Sequence, residues 1–180
     1  MDAMNLAKAT IGGGCFWCLD AAFRRVEGVK DVVSGYAGGD VADPSYEMVI
    51  NGSTGHAEVV DIEFDEEVIS YDGILDVFFT IHDPTTKDRQ GNDVGSQYRS
   101  IILHHDSTQE ETARSKISRL NSSGTFKRPI VTELKRLVAF YPAEDYHQDY
   151  YRLNPRSTYC RLVIAPKLER MSLKSEATDR

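Results

Sequence analysis

No stretch of the sequence approaches the ~18 consecutive apolar residues of a membrane-spanning helix, which excludes an integral membrane helix. The opening decapeptide MDAMNLAKAT has no cationic segment followed by an apolar core, so no secretory leader is expected and the chain reads as cytoplasmic. Positive charge is also short. Twenty-one Lys and Arg face 28 Asp and Glu, for a formal net charge of -7, which removes any general attraction to nucleic acid or anionic lipid. A neutral or small substrate, or a protein partner, fits better. Cysteine is scarce: three residues, two of them three positions apart, do not make the paired framework of a small secreted domain. Such cysteines in a reducing compartment are redox-active, metal-bound or simply buried.

A chain of 180 residues suits one domain and needs no disulfide staple. Residues 6–11 read as a strand that runs into Gly12-Gly13-Gly14, and Phe16, Leu19, Ala22, Phe23 and Val26 then recur at helical spacing. Further strands are expected at 29–36, 58–64, 99–104, 130–134 and 136–141, the one at 58–64 half-buried. Ser70 is placed to cap a helix that Asp83-Pro84 stops, and Asp106 or Ser107 to cap a charged helix ending near Gly124. The polar segment 83–98 reads as a functional loop. A last helix is expected over 142–153. Cys160 falls in a short apolar stretch in a segment near the end of the chain that reads as flexible. The domain is expected over 6–167, followed by a polar, fraying tail over 168–180.

Two of the three cysteines and the single tryptophan lie in Gly14-Cys15-Phe16-Trp17-Cys18, at a glycine turn that opens into a helix. Backbone N–H groups and the helix dipole at such a position favour the thiolate, the reactive form of cysteine. Three chemistries are open to Cys15 and Cys18: half of a zinc site, a thioredoxin-like redox pair, and a peroxide- or sulfoxide-reducing centre passing through a sulfenic acid. The zinc reading is weak because no second C-x-x-C exists. Phe16 and Trp17 beside the thiol suggest a small apolar pocket suited to a thioether methyl group.

GCFW at 14–17, SGYAGG at 34–39, TGHAE at 54–58, HDPTT at 82–86, RQGNDVGSQYRS at 89–100 and YPAEDYHQ at 141–148 together resemble the A-type peptide-methionine sulfoxide reductases, in family order and over about residues 8–167. The resemblance implies an α+β single-domain two-layer sandwich, with a central mixed sheet flanked by helices and the catalytic cysteine at a strand-turn-helix start. It implies reduction of the S epimer of methionine sulfoxide, free or in proteins, as repair of oxidative damage.

The same resemblance implies the roles. Cys15 is the nucleophile. Asp20 falls where the family's proton-donating glutamate is expected, one methylene shorter. Tyr36 and Tyr98 hold the sulfoxide oxygen, Asp93 orders the pocket, and Phe16 and Trp17 receive the methyl group. Cys160 is the first resolving thiol and Cys18 a direct resolver or relay. His147 is read as structural. Neither metal nor prosthetic group is expected, and an external dithiol such as thioredoxin recycles the disulfide.

Overall fold

The computed structural model describes residues 5–178, with side chains to residue 171. The first half of the chain alternates strands and helices: β1 (Leu6–Gly12), α1 (Phe16–Phe23), β2 (Val29–Ala37), α2 (Tyr46–Ile50), β3 (Ala57–Asp65) and α3 (Tyr71–Ile81). The polar segment that follows folds into the short strands β4 (Arg89–Gln90) and β5 (Asp93–Val94) and a 3-10 turn, Ser96–Tyr98. Then come β6 (Ile101–His104), α4 (Ser107–Ser122), β7 (Glu133–Arg136) and β8 (Phe140–Pro142). A second 3-10 turn (Asp145–His147), α5 (Tyr150–Leu153), a π-helical segment (Cys160–Ile164) and α6 (Ala165–Thr178) close the chain.

Six strands form a mixed sheet ordered β7-β6-β1-β3-β2-β8, in which only β6 and β7 run parallel. Helices cover one face. Ile11, Val32, Tyr36, Val60, Ile62 and Phe64 point into that layer and meet Phe23, Ile74, Leu75 and Phe78 from the helices. Each such side chain, once buried, contributes about 1.5–3 kcal/mol. The opposite face holds a small cluster of Ala37, Ala57, Val59, Ile101 and Leu103, with Leu137 and Phe140 against it. The chain is therefore the two-layer α+β fold that the motifs imply.

Local signals set the helix starts. The side chains of Ser70 and Asp106 accept the backbone N–H groups of Gly73 and Gln109, at 3.0 and 2.8 Å, and so cap α3 and α4. Lys116 of α4, 6 % exposed, bridges Asp72 and Asp76 of α3 and ties the two helices together.

β3, between β1 and β2, alternates as expected over 60–64, with Asp61 and Glu63 less buried than Val60, Ile62 and Phe64, while Ala57 and Val59 are buried on the other face. Three expectations change. The helix expected over 142–153 begins instead as strand β8, with Pro142 paired to Gly35 at the sheet edge where its missing N–H costs no ladder bond. The tail expected from residue 168 is helix: Leu168 is 3 % exposed and Met171 packs on the core. Cys160 is fully buried in the helical run before α6, not in a flexible segment. The π turn falls just ahead of Pro166, whose ring and absent N–H oppose a regular α-turn there.

Candidate active site

The turn between β1 and α1 is built for close approach. A Cβ on Gly12 would stand 2.6 Å from the Glu58 carbonyl oxygen, and one on Gly13 would stand 2.7 Å from the His82 ring. Gly14 has φ +87, in the left-handed region that glycine tolerates, and its N–H donates to the Tyr98 carbonyl at 3.1 Å. Cys15 then occupies the N-cap of α1 with extended backbone. Its side chain caps nothing. The sulfur is left for other neighbours.

Foremost among them is Glu58. It shares strand parity with Val60, Ile62 and Phe64, so its carboxyl enters the helical layer, and register places it opposite Tyr36 on β2. Only 1 % exposed, it accepts the Phe16 N–H at 3.2 Å and lies against the Cys15 thiol. Burial pushes its pKa up to about 8, with the nearby Asp93 adding to the rise and the Phe16 N–H opposing it. The group is thus a neutral carboxylic acid at pH 7. The sequence reading passed over it, although a glutamate in phase with the apolar face of a strand was a visible signal.

The thiol moves the opposite way to expectation. Burial first, then the negative potential of Glu58 and the proximity of Cys18, raise the Cys15 pKa well above its ordinary value, and the Trp17 N–H only partly offsets this. At the 8 % exposure of Cys15, desolvation outweighs the start of an eight-residue helix. The resting group is a thiol.

An aromatic shell surrounds both groups. The Phe16 ring lies 5.7 Å from that of Tyr36 and 5.0 Å from that of His147. Trp17 stacks on Tyr150 at 3.6 Å, and its indole N–H donates to Nδ1 of His147 at 3.1 Å. His147 therefore orients the tryptophan, in keeping with a structural role. The Tyr36 hydroxyl donates to Glu144 at 3.0 Å, and Tyr98 lies within the fields of Glu58, Cys15 and Asp93.

Asp20 does not join this group. Five residues along a helix turn a side chain by about 140° from its starting direction. The Asp20 carboxylate accordingly pairs with Arg24 and accepts the Asp149 N–H at 2.8 Å. Its pKa is raised to about 6 by burial against the opposing pull of Arg24. The position assigned to the family's acid is a structural ion pair here, and the carboxyl beside the thiol is Glu58.

The remaining cysteines lie in the same buried layer. Cys15, Cys18 and Cys160 are all free thiols in one packed cluster. Tyr159, next to Cys160, donates its hydroxyl to Asp93 at 2.7 Å, lies 3.6 Å from the Cys18 sulfur, and sets its ring edge-on to Trp17. This tyrosine, which sequence reasoning missed, joins Asp93, Cys18 and Trp17. Among the described residues, no cluster of three or more His, Cys, Asp or Glu side chains could hold a metal ion, and no helix is long and apolar enough to cross a membrane.

A buried thiol at a helix start, set against a neutral carboxyl group inside an aromatic pocket, defines a cysteine-dependent enzyme rather than a binding module. The family model described as peptide methionine sulfoxide reductase matches residues 7–180, and the chain belongs to that family. A curated relative, the peptide methionine sulfoxide reductase MsrA of Nautilia profundicola, is 58% identical over 172 residues, covering 95% of this chain and 98% of its own. Among solved structures, reduced Mxr1 from Saccharomyces cerevisiae matches with TM-score 0.79 and 34% identity, over 86% of this chain and 89% of that one. Mxr1 has also been solved in complex with Trx2; that form matches with TM-score 0.57 and 26% identity, over 81% and 84% of the two chains. Reduction of peptide methionine sulfoxide is thus the activity of this enzyme.

Proposed function

We propose that the enzyme reduces the S epimer of methionine sulfoxide, free or within proteins, through Cys15, with Glu58 as the acid. The observation that carries this reading is the Glu58 carboxyl, 1 % exposed, held by the Phe16 N–H beside the Cys15 thiol, where burial favours its protonated form. The Cys15 sulfur attacks the sulfoxide sulfur, and Glu58 protonates the oxygen as the S–O bond opens. The oxygen then passes from the substrate sulfur to the Cys15 sulfur as the transient S–S bond breaks, leaving a sulfenic acid on Cys15 and releasing the thioether as methionine. The thiol proton returns to Glu58, so atoms and electrons balance. Phe16 and Trp17 form the wall for the methyl group, while Tyr36, Tyr98 and Asp93 hold the polar end of the substrate.

Cys160 is the first resolving thiol and Cys18 a second resolver or relay. A condensation with Cys15 releases water and leaves a disulfide, which a thioredoxin-type dithiol reduces. The yeast relative that has been solved with Trx2 supports such a donor. Repair of oxidised proteins in a reducing cytoplasm suits three free thiols.

A single-turnover assay without added reductant tests the reading. The S epimer is expected to yield about one methionine per chain and the R epimer none; equal turnover of both epimers would overturn the stereochemical assignment. In the same assay, Cys160→Ser is expected to trap the sulfenic acid on Cys15, seen by mass spectrometry as a 16 Da (~one oxygen) adduct. Cys18→Ser should still form a disulfide. The reverse pattern would exchange the two roles.

A further inference from the structure

Several cations of this acidic chain pair with carboxylates, as Arg24 does with Asp20, Arg99 with Glu133, and Lys116 with Asp72 and Asp76. At one place cations gather around a cavity instead. A cavity of about 530 Å³ opens between the end of α3, the 125–128 loop and α6, and Lys127, Arg128, Lys167 and Arg170 converge on it. Its single acidic lining residue is Asp83, and its one ion pair is the loose contact of that carboxylate with Arg128 at 3.9 Å. Among the described residues, Lys127, Lys167 and Arg170 have no ion-pair partner within 4 Å. His82, which also lines the cavity, is held neutral: burial lowers its pKa to about 4. Three positive charges are left in excess within a chain of net charge -7.

The cavity is concave and of small-molecule size, and Phe79 and Phe126 give it an apolar side. Lys and Arg donors approaching from two separate elements suit a ligand with several acceptor oxygens and more than one negative charge. From these observations we propose a binding site for a small phosphate-type oxyanion between the 125–128 loop and α6. The shared chemistry is the phosphate group, either free or carried on a small organic molecule.

Two walls of this cavity touch the catalytic turn. The His82 ring packs where a Gly13 side chain would be, and the Gln90 side chain lies 2.8 Å from the position of a Gly14 Cβ. Lys167 and Arg170 belong to the helix that follows Tyr159 and Cys160. An oxyanion held by both cation pairs therefore ties the C-terminal helix to the body of the enzyme, one side chain away from the Cys15 turn.

The test is calorimetric titration of the intact enzyme with inorganic phosphate and with AMP at constant ionic strength, with chloride as control and no sulfoxide present. Saturable binding of phosphate or AMP, absent with chloride, is expected. Lys167→Ala with Arg170→Ala should weaken it at least tenfold. The loop pair Lys127→Ala with Arg128→Ala should do the same, independently of α6 packing. Backbone amide exchange in α6 is expected to slow severalfold on binding. Tighter binding of AMP identifies an organic phosphate as the ligand, and equal affinities identify free phosphate. No saturable heat with either probe, or binding unchanged in both double variants, would overturn the site. Because the measurement uses no sulfoxide, its outcome is independent of the roles given to Cys15 and Glu58.

Discussion

Glu58→Gln is expected to slow single-turnover methionine formation by about 10²–10⁴-fold, the usual range for removing a general acid. The amide keeps the size of the side chain and can still accept the Phe16 N–H, so the loss isolates the proton. The pH profile gives a second reading. With a pKa of about 8, wild-type Glu58 is protonated on the acid side, so the rate is flat below pH 8 and falls about tenfold per unit above it. The break should vanish in Glu58→Gln. Stability moves in the other direction. The folded carboxyl keeps a proton that the unfolded chain releases above about pH 4.5, so the stability Glu58 contributes is fully present at low pH and is lost as pH rises toward 8. Glu58→Gln should therefore have a higher Tm than wild type at pH 8. Asp20→Asn supplies the contrast, with an unchanged reductive rate. If Asp20→Asn abolished the reaction and Glu58→Gln left it intact, the acid assignment would be reversed.

Cys15→Ser should remove the activity altogether, a loss of roughly 10⁴-fold or more, on the scale of deleting a nucleophile that works in concert with an acid. The same substitution is expected to stabilise the fold. Cys15 sits at the N-cap of α1 without a side-chain capping bond. Serine is among the preferred N-cap residues, and a good cap is worth about 1 kcal/mol. In a domain of this size that corresponds to a rise in Tm of about 2–4 °C. Thermal melts of the two catalytic variants thus separate chemistry from folding: both should melt above wild type at pH 8 while making essentially no methionine. Residual methionine formation in Cys15→Ser at the wild-type rate would remove Cys15 from the mechanism.

Much of this was legible in the sequence, and the failures have physical causes. The strand-turn-helix around Cys15 followed from the glycines and from the helical spacing of Phe16, Leu19 and Phe23. The capping residues Ser70 and Asp106 fixed two further helix starts. The carboxyl beside the thiol was not legible: Asp20, singled out by the resemblance, is turned toward Arg24 and Asp149, whereas Glu58 arrives through the pairing of β2 with β3. The thiolate expectation weighed the helix terminus and had no measure of burial, which sequence cannot supply for one turn. The last helix was concealed by Pro166 and by its polar composition, although Ile164, Leu168 and Met171 carry the i, i+4, i+7 spacing of a buried stripe. Tyr159 meets Asp93 only through tertiary packing, and no local pattern announces that contact.

The raised pKa values of Cys15 and Glu58 also set the proton stoichiometry of oxygen transfer. Both protons are on their groups before the substrate binds. With Glu58 as the shuttle, it ends the reductive step as it began: the proton it gives to the transferred oxygen is replaced by the one Cys15 brought. The first half of the reaction therefore neither takes a proton from bulk water nor releases one to it.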